Sequence, residues 1–119
     1  MLLLTLACAV PDDPAALYGL WANTDETELV RAWEMAETHE LTAELSPAYL
    51  IYNYEAGTEP SVVQAGRYDL IEEHIVTSPM TEQVDYSNLI VRWGGSWFEL
   101  EVDKATGETR RYEEVDELP

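Results

Sequence analysis

VVQAGRYDLIEEHIVT, residues 62–77, is the stretch whose reading decides the fold. Its two apolar-rich runs flank an acidic break at Glu72-Glu73. Gly66 and Tyr68 lie in the first run, and Ile75, Val76 and Thr77 in the second. β-Branched and aromatic residues in the runs, with charge between them, predict an antiparallel pair of strands ended by Ser78-Pro79.

The segments on either side read as further strands. Beyond a polar connector at 80–87, NLIVRW (88–93) and SWFELEV (96–102) predict a second hairpin. Gly94-Gly95 is a two-residue turn that tolerates positive φ at both positions. Phe98, Leu100 and Val102 share one face of that hairpin, opposite Trp97, Glu99 and Glu101, so one face is buried and one is wet. Residues 103–108 form a turn with Gly107 in the left-handed position, 109–115 return as the last strand, and 116–119 fray. Toward the N-terminus, AYLIYNYE (48–55) is the clearest strand, with Tyr49 and Ile51 on one face and Leu50, Tyr52 and Tyr54 on the other. ELVRAWEMAE (28–37) holds good helix formers, yet Leu29, Arg31, Trp33 and Met35 alternate with Val30, Ala32, Glu34 and Ala36. A strand is expected there, with a helix as the alternative. Residues 40–45 and 17–22 (LYGLWA) complete the set, the latter closed by a turn at 23–25. About eight short antiparallel strands in a meander close most economically into an all-β barrel, because closure removes exposed edges.

The 119 residues make one domain, spanning 17–115. Twenty-four Asp and Glu against six Lys and Arg give a net charge of -18. Such a surface repels phosphates, which argues against nucleic acid and keeps the chain off anionic membranes unless it is covalently tethered. The acids are spread along the whole chain, as solubility requires. A negative surface that occupies a basic partner, as an interaction module or inhibitor, is the rival use.

MLLLTLACAV (1–10) is apolar throughout and too short to span a bilayer, which takes about 20 residues. It reads as an export signal over 1–9, followed by a polar spacer over 10–16 that is neither helix nor central strand. Leu4-Thr5-Leu6-Ala7-Cys8 resembles a lipobox, in which the sole cysteine, Cys8, would receive lipid. Ala7-Cys8-Ala9 equally suits ordinary secretory cleavage, and a buried N-terminal strand is the third reading. The first places the protein on the periplasmic side of a bacterial envelope membrane, and the second makes it secreted. Cleaved or anchored, it touches a membrane only through the lipid.

Gly19-Leu20-Trp21, a G-x-W on the first strand, resembles the lipocalin and calycin group. The resemblance implies an eight-stranded barrel whose first-strand Trp plugs one end, with Arg110 or Arg111 packed across it. Val84-Asp85-Tyr86 echoes the group's middle motif. Gly66-Arg67-Tyr68 and Ile75-Val76-Thr77 look like the G-x-Y and I-V-T strands of small lipocalin-like lipoproteins of Gram-negative bacteria. The resemblance covers residues 17–115. It implies a binding or envelope module whose partner is a small apolar ligand or an envelope protein.

Residues that could carry chemistry are few. Glu37 with His39, and Glu72-Glu73 with His74, fall short of the three or four converging ligands a metal needs. Gly94-Gly95-Ser96 is a turn rather than a nucleophile elbow, and acid pairs such as Glu99/Glu101 are the expectation in so acidic a chain. A small hydrolase would require two acids converging in a pocket, one with a raised pKa. No catalytic residue, metal or cofactor is therefore assigned. Trp21, Tyr52, Tyr54, Tyr68, Trp93 and Phe98 are the candidate lining of an interior apolar cup. A core filled by those same rings is the alternative, and the commoner outcome for eight short strands.

Overall fold

The computed structural model describes residues 9–23 and 26–119. Cys8, and with it the export signal and lipid site, lies outside the described residues, as does part of the turn at 23–25. Eight antiparallel strands close into one barrel in chain order. They are β1 (Gly19–Asn23), β2 (Leu29–Ala36), β3 (Ala48–Glu55), β4 (Val62–Ile71), β5 (His74–Pro79), β6 (Tyr86–Trp93), β7 (Trp97–Asp103) and β8 (Glu108–Val115). The seam is β1 on β8, pairing Trp21 with Glu114 and Asn23 with Tyr112. The 62–77 hairpin forms as read: Ile71 pairs with His74, and Glu72 and Glu73 make the turn, both at positive φ.

ELVRAWEMAE is strand, not helix. Its alternation fits between two partners, with Trp33 opposite Trp21 on β1 and Ile51 on β3. Leu29, Arg31, Trp33 and Met35 therefore share the inner face.

Other expectations are corrected. The first strand begins at Gly19, because Pro14–Leu17 is a 3-10 helix whose N-cap Asp13 accepts from the Ala15 amide. The spacer is thus partly helical, and Val10 packs against the core. Residues 40–45 hold a second 3-10 helix, Glu40–Thr42, rather than a strand; His39 caps it by accepting the Leu41 amide on Nδ1. In the β6–β7 turn only Gly95 has positive φ. Gly94 is needed for space instead, since a Cβ there would fall within the Trp97 ring. Nor does the tail fray. Leu118 packs on an outer-wall cluster of Ala22, Val30, Ala32 and Tyr54, and the Tyr54 hydroxyl donates to the Pro119 carbonyl at 2.7 Å. Paired alanines on β1 and β2 leave the shallow wall that the tail fills.

The core sits inside the barrel and is built of rings. Trp21 tilts onto Phe98 at 5.1 Å between centroids, and Phe98 stacks on Tyr112 at 5.4 Å. Trp93 flanks both Trp21 and Phe98, while Trp33 meets Tyr49 at 5.8 Å on the opposite wall. Each such pair contributes about 0.5–1.5 kcal/mol beyond the burial of its area.

The two ends of the barrel differ. At one, Trp21 Nε1 donates to the Leu17 carbonyl at 2.8 Å and Tyr68 donates its hydroxyl to the Pro14 carbonyl at 2.5 Å, so the N-terminal 3-10 helix caps the rings. That end is closed. The strands' meander places the β1–β2, β3–β4, β5–β6 and β7–β8 connections at the other end.

Candidate functional site

At the second end the inner faces of β2, β3, β6, β7 and β8 leave a cup of about 230 Å³. Its floor is apolar and aromatic: Trp33, Ile51, Leu100 and Tyr112. Its upper wall is polar, with Arg31, Asn53, Asn88 and Arg110, and Val63 and Val102 complete the mouth. Strand period explains the layering. Residues two apart point the same way, so Arg31 stands one step above Trp33, Asn53 above Ile51, and Arg110 above Tyr112.

Local bonds hold this wall in place. Asn23, buried at the end of β1, accepts the Arg31 amide on Oδ1 at 2.7 Å and pairs in register with Tyr112. It therefore ties the two arginine-bearing strands into one surface. Arg31 reaches Glu26 at 2.6 Å, Arg110 donates to the Tyr112 hydroxyl at 3.4 Å, and the Asn88 amide donates to the Glu101 carbonyl at 3.0 Å. The lining includes two of the chain's six cations. Among the described residues it includes no carboxylate, histidine, serine or cysteine, although acids make up about one residue in five of the chain.

Of the six rings singled out by the sequence, Trp21, Tyr68, Trp93 and Phe98 are inside, but they fill the closed half of the barrel and do not line the cup. Tyr54 is on the outer wall beneath the tail. Tyr52 is likewise turned outward, donating its hydroxyl to Glu34 at 2.6 Å; it reaches the cup's rim where the β3–β4 register shifts at Ile51/Tyr52. Both faces of AYLIYNYE are apolar, so alternation alone could not say which faced in. Trp33, Arg31, Tyr112 and Arg110 were missed as lining. The signal for the first two was present in the β2 alternation that puts Arg31 on the face of Trp33.

The arginine packing also differs from what the resemblance implies. Arg111 lies over Trp97 on the outer wall, 4.1 Å from the ring centroid, and Arg110 lines the cup, while Trp21 is met by rings. His39 comes within 3.6 Å of Glu34, and the His74 ring bonds the Glu72 carbonyl. Among the described residues no three of His, Cys, Asp and Glu converge as a metal site would require. No helix among them is long and apolar enough to cross a membrane.

Comparison with family models, with curated proteins and with solved structures finds no match for this chain.

Buried tyrosines give the barrel an alkaline signature. Burial pushes the Tyr49 hydroxyl up to about 12; it also raises Tyr68 and Tyr52, the latter helped by its bond to Glu34. Unfolded tyrosine ionises near 10. The folded form holds its proton more tightly, so this contribution is intact below pH 10 and is lost as pH rises through the folded pKa. For Tyr49 alone it amounts to roughly 3 kcal/mol. Tyrosinate absorbance and far-UV circular dichroism followed together should show these groups ionising in step with unfolding. Independent ionisation of all seven tyrosines near 10 in a retained fold would contradict their burial.

Proposed function

We propose that this barrel is a small-ligand binding module of lipocalin-like type, exported and held to a membrane through lipid on Cys8, and not an enzyme. The cup carries the reading: an apolar floor under a few convergent polar groups is the usual form of a ligand site. Among the described residues the lining holds no carboxylate, histidine, serine or cysteine, which favours binding over turnover. The meander order, the β1–β8 seam and the Trp21 plug support the lipocalin-like comparison.

The closed end also suits an anchor. The chain meets the barrel at Val10, two residues after Cys8, so a lipid there would turn the closed end to the membrane and the cup away from it. Dual acylation, or one chain with a second signal, would hold it there despite the acidic surface. Metabolic labelling with a fatty-acid analogue should mark the wild type and not Cys8→Ser; label that persists in the variant would end the anchor reading.

Acids occur at both ends of the barrel, with Glu26 and Glu28 near the open end and Glu72 and Glu73 at the closed one. That spread favours a cup-based function over a single negative face for a basic partner.

Four tryptophans provide the test of the binding reading. In a nitrogen-edited NMR titration with a panel of neutral single-ring compounds, the Trp33 indole signal should move while those of Trp21 and Trp97 stay. A panel that shifts only signals outside the cup, or none, would contradict it.

A further inference from the structure

We propose, building on the binding reading above, that the cup takes neutral single-ring compounds bearing a hydroxyl, with phenol as the simplest case. The decisive observation is a pair of polar groups in the lining, Asn88 on β6 and Tyr112 on β8, that bonds to the protein already orient. They offer opposite halves of a hydrogen bond. The Asn88 side-chain nitrogen donates to the Glu101 carbonyl at 3.0 Å. That bond fixes which end of the amide is which and leaves Oδ1 as an acceptor. The Tyr112 hydroxyl accepts from Arg110 at 3.4 Å, so its own proton is directed away from the guanidinium and can be donated. A ligand hydroxyl matches both, because it donates to one neighbour and accepts from another.

Position supports the pairing. Tyr112 is buried and stacks on Phe98, which holds its ring. Asn88 lies two residues before Ile90, whose partner Leu100 is in the floor, so strand period puts Asn88 one step nearer the mouth. A ring seated on Trp33, Ile51 and Leu100 would carry a hydroxyl on its upper edge into this polar layer. Size limits the body. A cavity of about 150 Å³ accepts benzene, and drug-sized ligands take about 300 Å³ or more. At about 230 Å³ the cup fits one ring and a small substituent.

Charge selects the neutral form. The net charge of -18 repels anions at long range, and Arg31 is already paired with Glu26 at 2.6 Å. A cation is drawn to the surface but meets the guanidiniums of Arg31 and Arg110 in the lining. A phenolic hydroxyl, which ionises at about 10, enters uncharged at neutral pH.

Phenol, anisole and toluene form the test, each titrated against the full chain at neutral pH and followed through the Trp33 indole signal. All three carry one ring; anisole accepts a hydrogen bond but cannot donate one, and toluene does neither. Phenol should bind about tenfold tighter than either, although it is the most water-loving of the three. Tyr112→Phe and Asn88→Leu should each weaken phenol about tenfold relative to toluene, with the circular dichroism spectrum retained. Anisole or toluene binding as tightly as phenol would overturn the hydroxyl requirement and leave the cup as a binding site. An unchanged preference for phenol in either variant would overturn that residue's role. Failure of all three compounds, together with the neutral panel, to move Trp33 would overturn both readings. Because the contrast among the three compounds is read on the wild type, it holds even if a variant misfolds.

Discussion

Trp21→Ala should remove about 3–5 kcal/mol of stability, the range for deleting a buried large ring. The residue is 1% exposed, lies against Trp93 and Phe98, and bonds the Leu17 carbonyl through its indole. No neighbouring side chain can collapse into the space without breaking the run of rings that continues through Phe98 to Tyr112. A domain of this size is stable by about 5–15 kcal/mol in total, so the variant would be marginal. Trp21→Phe keeps a ring and loses the indole N–H, leaving the buried Leu17 carbonyl without that partner. It should lose about 1–3 kcal/mol. Urea midpoints compared across the three proteins read both differences. A Trp21→Ala loss below about 1 kcal/mol would mean that the closed end is not packed around this ring.

Gly66→Ala is the second large effect, and its sign is decided by two opposed magnitudes. Gly66 pairs with Tyr49 on β3 and Pro79 on β5. Replacing a glycine usually stabilises by about 0.4–1 kcal/mol, because the unfolded chain loses freedom. Here a Cβ would stand 2.2 Å from the Ser78 carbonyl oxygen and 2.9 Å from the Pro79 Cα. Both are backbone atoms, so no rotamer change relieves the clash and β4 must part from β5. Overpacking of this kind costs about 1–3 kcal/mol or more, and it wins. The expected net loss is about 2–3 kcal/mol, with amide exchange rising first along β4 and β5. A stabilised Gly66→Ala would show that the two strands do not approach this closely.

That glycine illustrates how the fold was legible. The 62–77 stretch displays its turn as two adjacent acids and its strands as β-branched runs, so the hairpin could be read directly. The SWFELEV strand was equally plain, since apolar Phe98, Leu100 and Val102 alternate with Trp97, Glu99 and Glu101. The role of Gly66 could not be read, because close approach is a property of two strands together.

The same reason explains why the orientation of the β3 tyrosines was not legible. Tyr52 and Tyr54 sit on a strand that is apolar on both faces, and its outer face is covered by a tail some sixty residues later in the chain. Local pattern carries no record of that contact. Residues 40–45 misled in another way: their composition permits a strand, but no partner strand is available, and His39 instead caps a short helical turn.

The cup was half visible. Arg31 stands on the Trp33 face in the β2 alternation, but its meeting with Arg110, nearly eighty residues away, depends on closure of the sheet. That closure passes through β1, which is only five residues long. If β1 did not join β2 to β8, Trp33 and Tyr112 would line no common space, and Trp21 would have nothing to plug.

The most direct measurement is therefore of the seam. Cross-strand nuclear Overhauser contacts should link Trp21 to Glu114 and Asn23 to Tyr112, with slow amide exchange along both strands. Missing contacts, together with fast exchange on β1 and β8, would mean an open sheet and would contradict the barrel and the cup at once.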